Sequence, residues 1–150
     1  MYSKTLYAGW GDMDFNSHMA NTAYLDKVAD VRQQFFAEHG FPTSEFSRLR
    51  FGPVVRKDEL EYFAEVGLQE AISITFTLAG QAADGSRFVM RHEVFRADGK
   101  LAARVSTAGG WLDLEARKLM APPPALLAAM NTLQRTEDFV ELPSSLKPRP

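Results

Sequence analysis

Residues 21–39, NTAYLDKVADVRQQFFAEH, decide the fold. Tyr24, Leu25, Val28, Val31, Phe35 and Phe36 recur at three- and four-residue steps, which on a helix form one broad apolar stripe. The spacing predicts a helix from about Asn21 to His39. Gly40 stops it, and His39 falls in the last turn, where partial positive charge suits the helix dipole. Upstream, residues 4–10 alternate Leu6, Ala8 and Trp10 with Thr5, Tyr7 and Gly9, a strand pattern. Downstream the period changes to two. In 59–66, Leu60, Tyr62, Ala64 and Val66 alternate with Glu59, Glu61, Phe63 and Glu65; in 72–78, Ile72, Ile74, Phe76 and Leu78 alternate with Ser73, Thr75 and Thr77. Two further strands, about 87–97 and 101–114, are joined by Asp98-Gly99, and Asp84-Gly85 marks the turn before them. Prolines 122–124 open a short helix, 125–133.

Antiparallel strands with one polar face need a cover on the other, and only the stripe of the long helix is large enough. The predicted class is α+β: a curved antiparallel sheet wrapped around one long helix. At 150 residues the chain has the size of one domain and can bury a core without disulfide or metal. That domain is expected to span 1–142, with the proline-bearing end 143–150 frayed.

A net charge of −2 argues against a polybasic nucleic-acid binder. The absence of cysteine excludes a disulfide scaffold, a thiolate metal site and a cysteine nucleophile. His18, His39 and His92 have no metal-ligand spacing, and no glycine-rich phosphate loop or dinucleotide fingerprint is present, so neither metal nor cofactor is expected. The sequence has no apolar run of membrane-spanning length and no leader-like start, so no membrane partner and a cytoplasmic location are expected.

The densest polar cluster is 12–21, DMDFNSHMAN, and it ends where the long helix begins. A helix start offers unpaired N–H groups and about half a positive charge. A carboxylate held just before it can work beside a polarised carbonyl, a pairing that suits acyl transfer. Each residue also has a structural reading. Asp14 suits a turn cap and Asp12 suits orienting the loop. His18 is either an acid–base group or a pin for the loop, and Asn21 suits the N-cap of the helix. Tyr24 reads as core with its hydroxyl at the rim.

Residues 10–25, WGDMDFNSHMANTAYL, resemble the signature of the hot-dog-fold acyl-CoA thioesterases related to 4-hydroxybenzoyl-CoA thioesterase. There an Asp-x-Asp pair precedes a Gly-His-Val-Asn-Asn-like stretch and a Tyr-Leu at the helix start. Asp12, Asp14, His18, Asn21, Tyr24 and Leu25 agree without a gap. Val54 to Arg56, Ser86 to His92, and Arg117-Lys118 followed by the prolines match in order downstream. Ser17 stands where glycine is common, Ala20 replaces the first asparagine, and Ala29 replaces a frequent glutamate.

The resemblance implies a hot-dog fold and hydrolysis of an acyl-CoA, or acyl carrier protein thioester, to the free acid. It casts Asp14 as nucleophile or general base and the main-chain N–H at Asn21 as the group polarising the carbonyl, with His18 as a further catalytic candidate. Tyr24 and the basic residues Arg56, Lys57, Arg87 and Arg91 become candidates for substrate binding, the basic ones together with Arg117 and Lys118 for phosphates. It also implies a homodimer or homotetramer whose sites lie between subunits. Two alternatives stand beside it. The hydratase branch of the fold uses Asp-x-Asn-Pro-x-His, but His18 follows Asp14 by four residues rather than five and the proline is missing. A non-catalytic acyl-CoA-binding module is the other.

Overall fold

The computed structural model describes residues 1–146. Strand β1 (Tyr2–Tyr7) leads through a 3-10 turn, Trp10–Asp12, and a loop into α1 (Ala23–Glu38) and α2 (Thr43–Leu49). Then come β2 (Phe51–Tyr62), β3 (Ala71–Ala82), β4 (Arg87–Phe95), β5 (Leu101–Asp113) and β6 (Lys118–Met120). Helix α3 (Pro124–Met130) and strand β7 (Arg135–Leu142) follow. The sheet runs β1-β3-β4-β5-β2, with β6 added to β5 and β7 to β3. It curls around α1 in the hot-dog arrangement.

The stripe on α1 makes the core. Val28, Val31, Phe35 and Phe36 are buried with Ile72, Ile74 and Phe76 of β3, Met90 and Val94 of β4, and Val105 and Trp111 of β5. Phe35 meets Phe76 edge-on at 5.1 Å between centroids, and Phe36 meets Trp111 at 5.9 Å. Such pairs add about 0.5–1.5 kcal/mol each beyond area burial. The helix ends as expected: Gly40 takes φ +87°, a region open to glycine, and the Phe41 N–H returns to the Phe36 carbonyl at 2.7 Å. His39 bonds through Nδ1 to the Phe35 carbonyl at 2.8 Å.

Several elements depart from the sequence reading. Helix α1 starts at Ala23, two residues later than expected, with Thr22 rather than Asn21 at the cap position and no side-chain cap bond. Strand β1 ends at Tyr7, because the chain turns at Trp10 and leaves that side chain exposed. Strand β2 begins at Phe51; its Pro53 is tolerated because among the described residues β2 pairs only with β5 and is an edge. The all-antiparallel expectation fails at β7, which pairs parallel with β3. Gly80 permits that pairing, since a Cβ there would lie 3.1 Å from the Val140 carbonyl oxygen.

The segment expected to fray is held at its start. Ser144 Oγ donates to Asp84 at 2.5 Å, and the Ser145 N–H donates to Ser86 Oγ at 3.0 Å, tying the chain to the β3–β4 turn. Residues 147–150 lie outside the described residues.

Candidate active site

The loop before α1 folds back on itself. The Ala20 N–H donates to the Asp12 carbonyl at 2.8 Å and the Asp14 N–H to the His18 carbonyl at 2.8 Å, with Met13 bridged to Met19. Asp14 closes the turn: its Oδ1 accepts the N–H of Asn16 at 2.8 Å and of His18 at 3.3 Å. Among the described residues, Oδ2 of Asp14 has no hydrogen-bond partner. Ser17 completes the turn with φ +63°, so the serine keeps the left-handed conformation that glycine would take for less.

Four contacts pin this turn to the rest of the fold. Asp12 accepts the Gly9 N–H at 2.7 Å and pairs with Lys27 of α1 at 2.9 Å. Burial opposes its ionisation, but Lys27 and the Gly9 N–H outweigh it and hold the carboxyl below its usual range. Asp12 therefore orients the loop, as its position suggested. The His18 ring pairs through Nε2 with Glu65 at 3.1 Å, while only its main chain meets the Asp14 carboxylate. The Met19 N–H donates to the Val66 carbonyl at 2.8 Å.

Asn21 is exposed and follows the hairpin directly. Its carbonyl accepts the hydroxyl of Tyr62 at 2.8 Å, and Tyr62 packs edge-on against the buried ring of Tyr24 at 5.3 Å. Burial, and then Tyr62, raise the Tyr24 hydroxyl above its ordinary pKa. Among the described residues, the N–H groups of Asn21 and Thr22 donate to no protein acceptor. Asn21 and Thr22 lie three and four residues beyond His18, so the two donors sit roughly 10–13 Å along the hairpin from the Asp14 turn.

The basic candidates separate. Arg56 and Arg87 border one groove of about 460 Å³, lined also by Val54, Val55, Phe88 and Gly109. Lys57 pairs with Glu59 of its own strand at 2.5 Å. Arg91 lies elsewhere, bonded to Asp138 of β7 at 2.8 Å and to Ser106 at 3.1 Å. A smaller cavity of about 180 Å³ lies between α1 and the sheet and shares Val55 and Phe88 with the groove. Within one chain, Arg56 is six strand residues from Tyr62, roughly 20 Å from the Asp14 loop.

The model of the thioesterase-like superfamily matches residues 8–130. The chain belongs to that family. Its curated relative, an L-carnitine dehydrogenase/betainyl-CoA thioesterase of Agrobacterium fabrum, is 24% identical over 130 residues. The match covers 87% of this chain and 26% of the relative, so the chain spans about a quarter of that protein's length. Among solved structures, a Staphylococcus aureus protein in complex with CoA superposes with a TM-score of 0.79 at 21% identity, over 89% of this chain and 85% of that one. A 1,4-dihydroxy-2-naphthoyl-CoA thioesterase from Synechocystis gives 0.78 at 17% identity, over 87% and 95%. At these identities the superpositions show the hot-dog fold.

In this thioesterase-family chain, three residues of the region escaped the sequence reading. Lys27 and Glu65 belong to no motif, and their partners come from distant elements. Arg32 is the third. It lines the smaller cavity from α1, and among the described residues it makes neither a hydrogen bond nor an ion pair. Burial pushes its pKa down and Asp58 pulls it back. Behind it His92 is fully buried, Nδ1 donating to the Thr75 carbonyl at 2.9 Å and Nε2 without a partner among the described residues. Desolvation, then the charge of Arg32, lower the His92 pKa to about 3, so this imidazole is neutral near pH 7.

Proposed function

We propose that this chain hydrolyses acyl-CoA thioesters, with Asp14 as the nucleophile or general base and the N–H groups of Asn21 and Thr22 polarising the thioester carbonyl. The observation that carries this reading is the unpartnered Asp14 oxygen on the same hairpin as two unpartnered main-chain donors at the foot of α1. One carboxylate oxygen holds the turn while the other is left for chemistry. Donors aimed at the developing oxyanion are worth roughly 2.7–4 kcal/mol each in such reactions. As general base Asp14 takes a proton from the water whose oxygen adds to the carbonyl carbon; as nucleophile its own oxygen adds, giving a mixed anhydride that water then hydrolyses. In both routes the C–S bond breaks and coenzyme A leaves as its thiol with a proton that comes from that water. His18, its ring engaged by Glu65, then holds the loop rather than moving protons.

Arg87 and Arg56 are the basic residues best placed for coenzyme A phosphates, since neither has a carboxylate partner among the described residues and both border the groove. Their distance from Asp14 within one chain favours a site shared by two copies. The β2 edge supports such a dimer. Antiparallel self-pairing about the midpoint between Lys57 and Asp58 sets Lys57 opposite Asp58, Arg56 opposite Glu59 and Val55 opposite Leu60. In that register Arg56 shares its charge with Glu59, and Arg87 carries more of the phosphate contact.

The test is release of free thiol from a panel of acyl-CoA thioesters, run beside an enoyl-CoA. Asp14→Asn keeps an acceptor for the Asn16 and His18 N–H groups and should stay folded, with turnover lower by roughly 100- to 10,000-fold. Hydration without thiol release, or an Asp14→Asn variant at near-wild-type rate, overturns the reading.

A further inference from the structure

The smaller cavity is apolar except along one side. Ala29 and Phe36 of α1, Pro53 and Val55 of β2, and Phe88 and Met90 of β4 form its walls, and α1 adds two polar side chains, the amide of Gln33 and the charged Arg32. A partly buried guanidinium without a counter-charge is unfavourable, and the cavity is where one can be supplied. No nearby group pairs with it directly. Asp58 favours the cation only from beyond ion-pair distance, and its Oδ1 accepts the Thr107 hydroxyl at 2.6 Å, while His92 behind is neutral.

The position of this cavity says what reaches it. It shares Val55 and Phe88 with the groove that carries Arg56 and Arg87. With the phosphates at those arginines and the carbonyl at the Asp14 loop of a second copy, the arrangement proposed above, the acyl group of a thioester can pass over these two side chains toward Arg32. A space of about 180 Å³ suits a short acyl group of four or five carbons.

Resting on the thioesterase reading above, we propose that Arg32 is a specificity determinant that selects short acyl groups ending in a carboxylate. The planar guanidinium binds that carboxylate with two parallel N–H···O bonds, and the apolar walls take the methylenes. A neutral acyl group of the same length leaves Arg32 unpaired, and a cationic one is repelled.

The experiment compares kcat/KM for glutaryl-CoA and pentanoyl-CoA, equal in carbon number and different at the far end. The wild-type chain should prefer glutaryl-CoA at least tenfold. Arg32→Met, similar in length and uncharged, should reduce that ratio at least tenfold, and Arg32→Lys should restore part of it. A wild-type preference for pentanoyl-CoA, or equal losses on both substrates in Arg32→Met, overturns the proposal. The wild-type ratio decides even where a variant does not fold. Thiol release from neither substrate nor from any other thioester of the panel would instead remove the thioesterase reading on which this one stands.

Discussion

Buried His92 makes the stability of this fold depend on pH in a window where carboxylates contribute little. In the unfolded chain its imidazole takes a proton near pH 6.5; in the fold it resists until about pH 3, because burial and then Arg32 disfavour the cation. Below pH 6.5 the unfolded state therefore binds more protons, and stability falls as pH falls toward 3. Above pH 6.5 the contribution is complete and flat. One proton of difference gives a slope of about 1.4 kcal/mol per pH unit, so the loss between pH 6.5 and 4.5 is about 2–3 kcal/mol. Urea denaturation at fixed protein concentration, from pH 8 to 4.5, measures it. His92→Gln keeps a donor for the Thr75 carbonyl and cannot be protonated, so its profile should be flatter by that amount. His18 and His39 are present in both chains and cancel in the difference. Parallel profiles for wild type and His92→Gln would refute the reasoning.

Ser17→Gly should raise stability by about 0.5–1 kcal/mol, relief of the left-handed φ being partly offset by the greater freedom of glycine when unfolded; a melting curve should move up by about 1–4 °C. Gly109→Ala should cost about 3 kcal/mol, because the new Cβ would overlap the Val54 carbonyl oxygen where β2 bulges against β5; denaturant titration reads the loss. Lys57→Glu should weaken a β2-paired dimer roughly tenfold or more, since two symmetric attractions to Asp58 become repulsions. Sedimentation velocity over a dilution series measures that, and an unchanged dimer, or a wild-type monomer at micromolar concentration, counts against β2 pairing.

The fold was legible where one surface repeats. The stripe from Tyr24 to Phe36 and the alternation of 72–78 are local, so periodicity found α1 and the centre of β3. Strand β7 was not legible: Arg135–Leu142 is polar, mostly exposed, and gains its pairing only from β3, more than 50 residues away. Helix α2, at 7 residues, is too short for a period, and its buried Phe46 is held by Phe51 and Trp111 from outside the helix. At the candidate site the cluster from Asp12 to Asn21 was visible as composition, but its internal order was not. That Asp12 reaches Lys27, that His18 turns to Glu65, and that Thr22 takes the cap position all depend on partners or dihedral angles that residue types leave open. Arg32 was hidden because a charge on a helix reads as solvated until the opposing sheet is placed.

The two borders of the sheet differ in a way that governs how copies of it can combine. Along β3 the outer border is shared by β1 and β7, 6 and 8 residues long and opposite in direction, so an incoming strand finds no continuous ladder there. The β2 border is 12 residues long, uninterrupted in direction, and complementary to itself. Union of two copies through β2 consumes that border in both and leaves only the broken ones facing outward. In a dimer joined through β2, as proposed above, growth would stop at two sheets, giving a closed two-fold pair rather than an open filament.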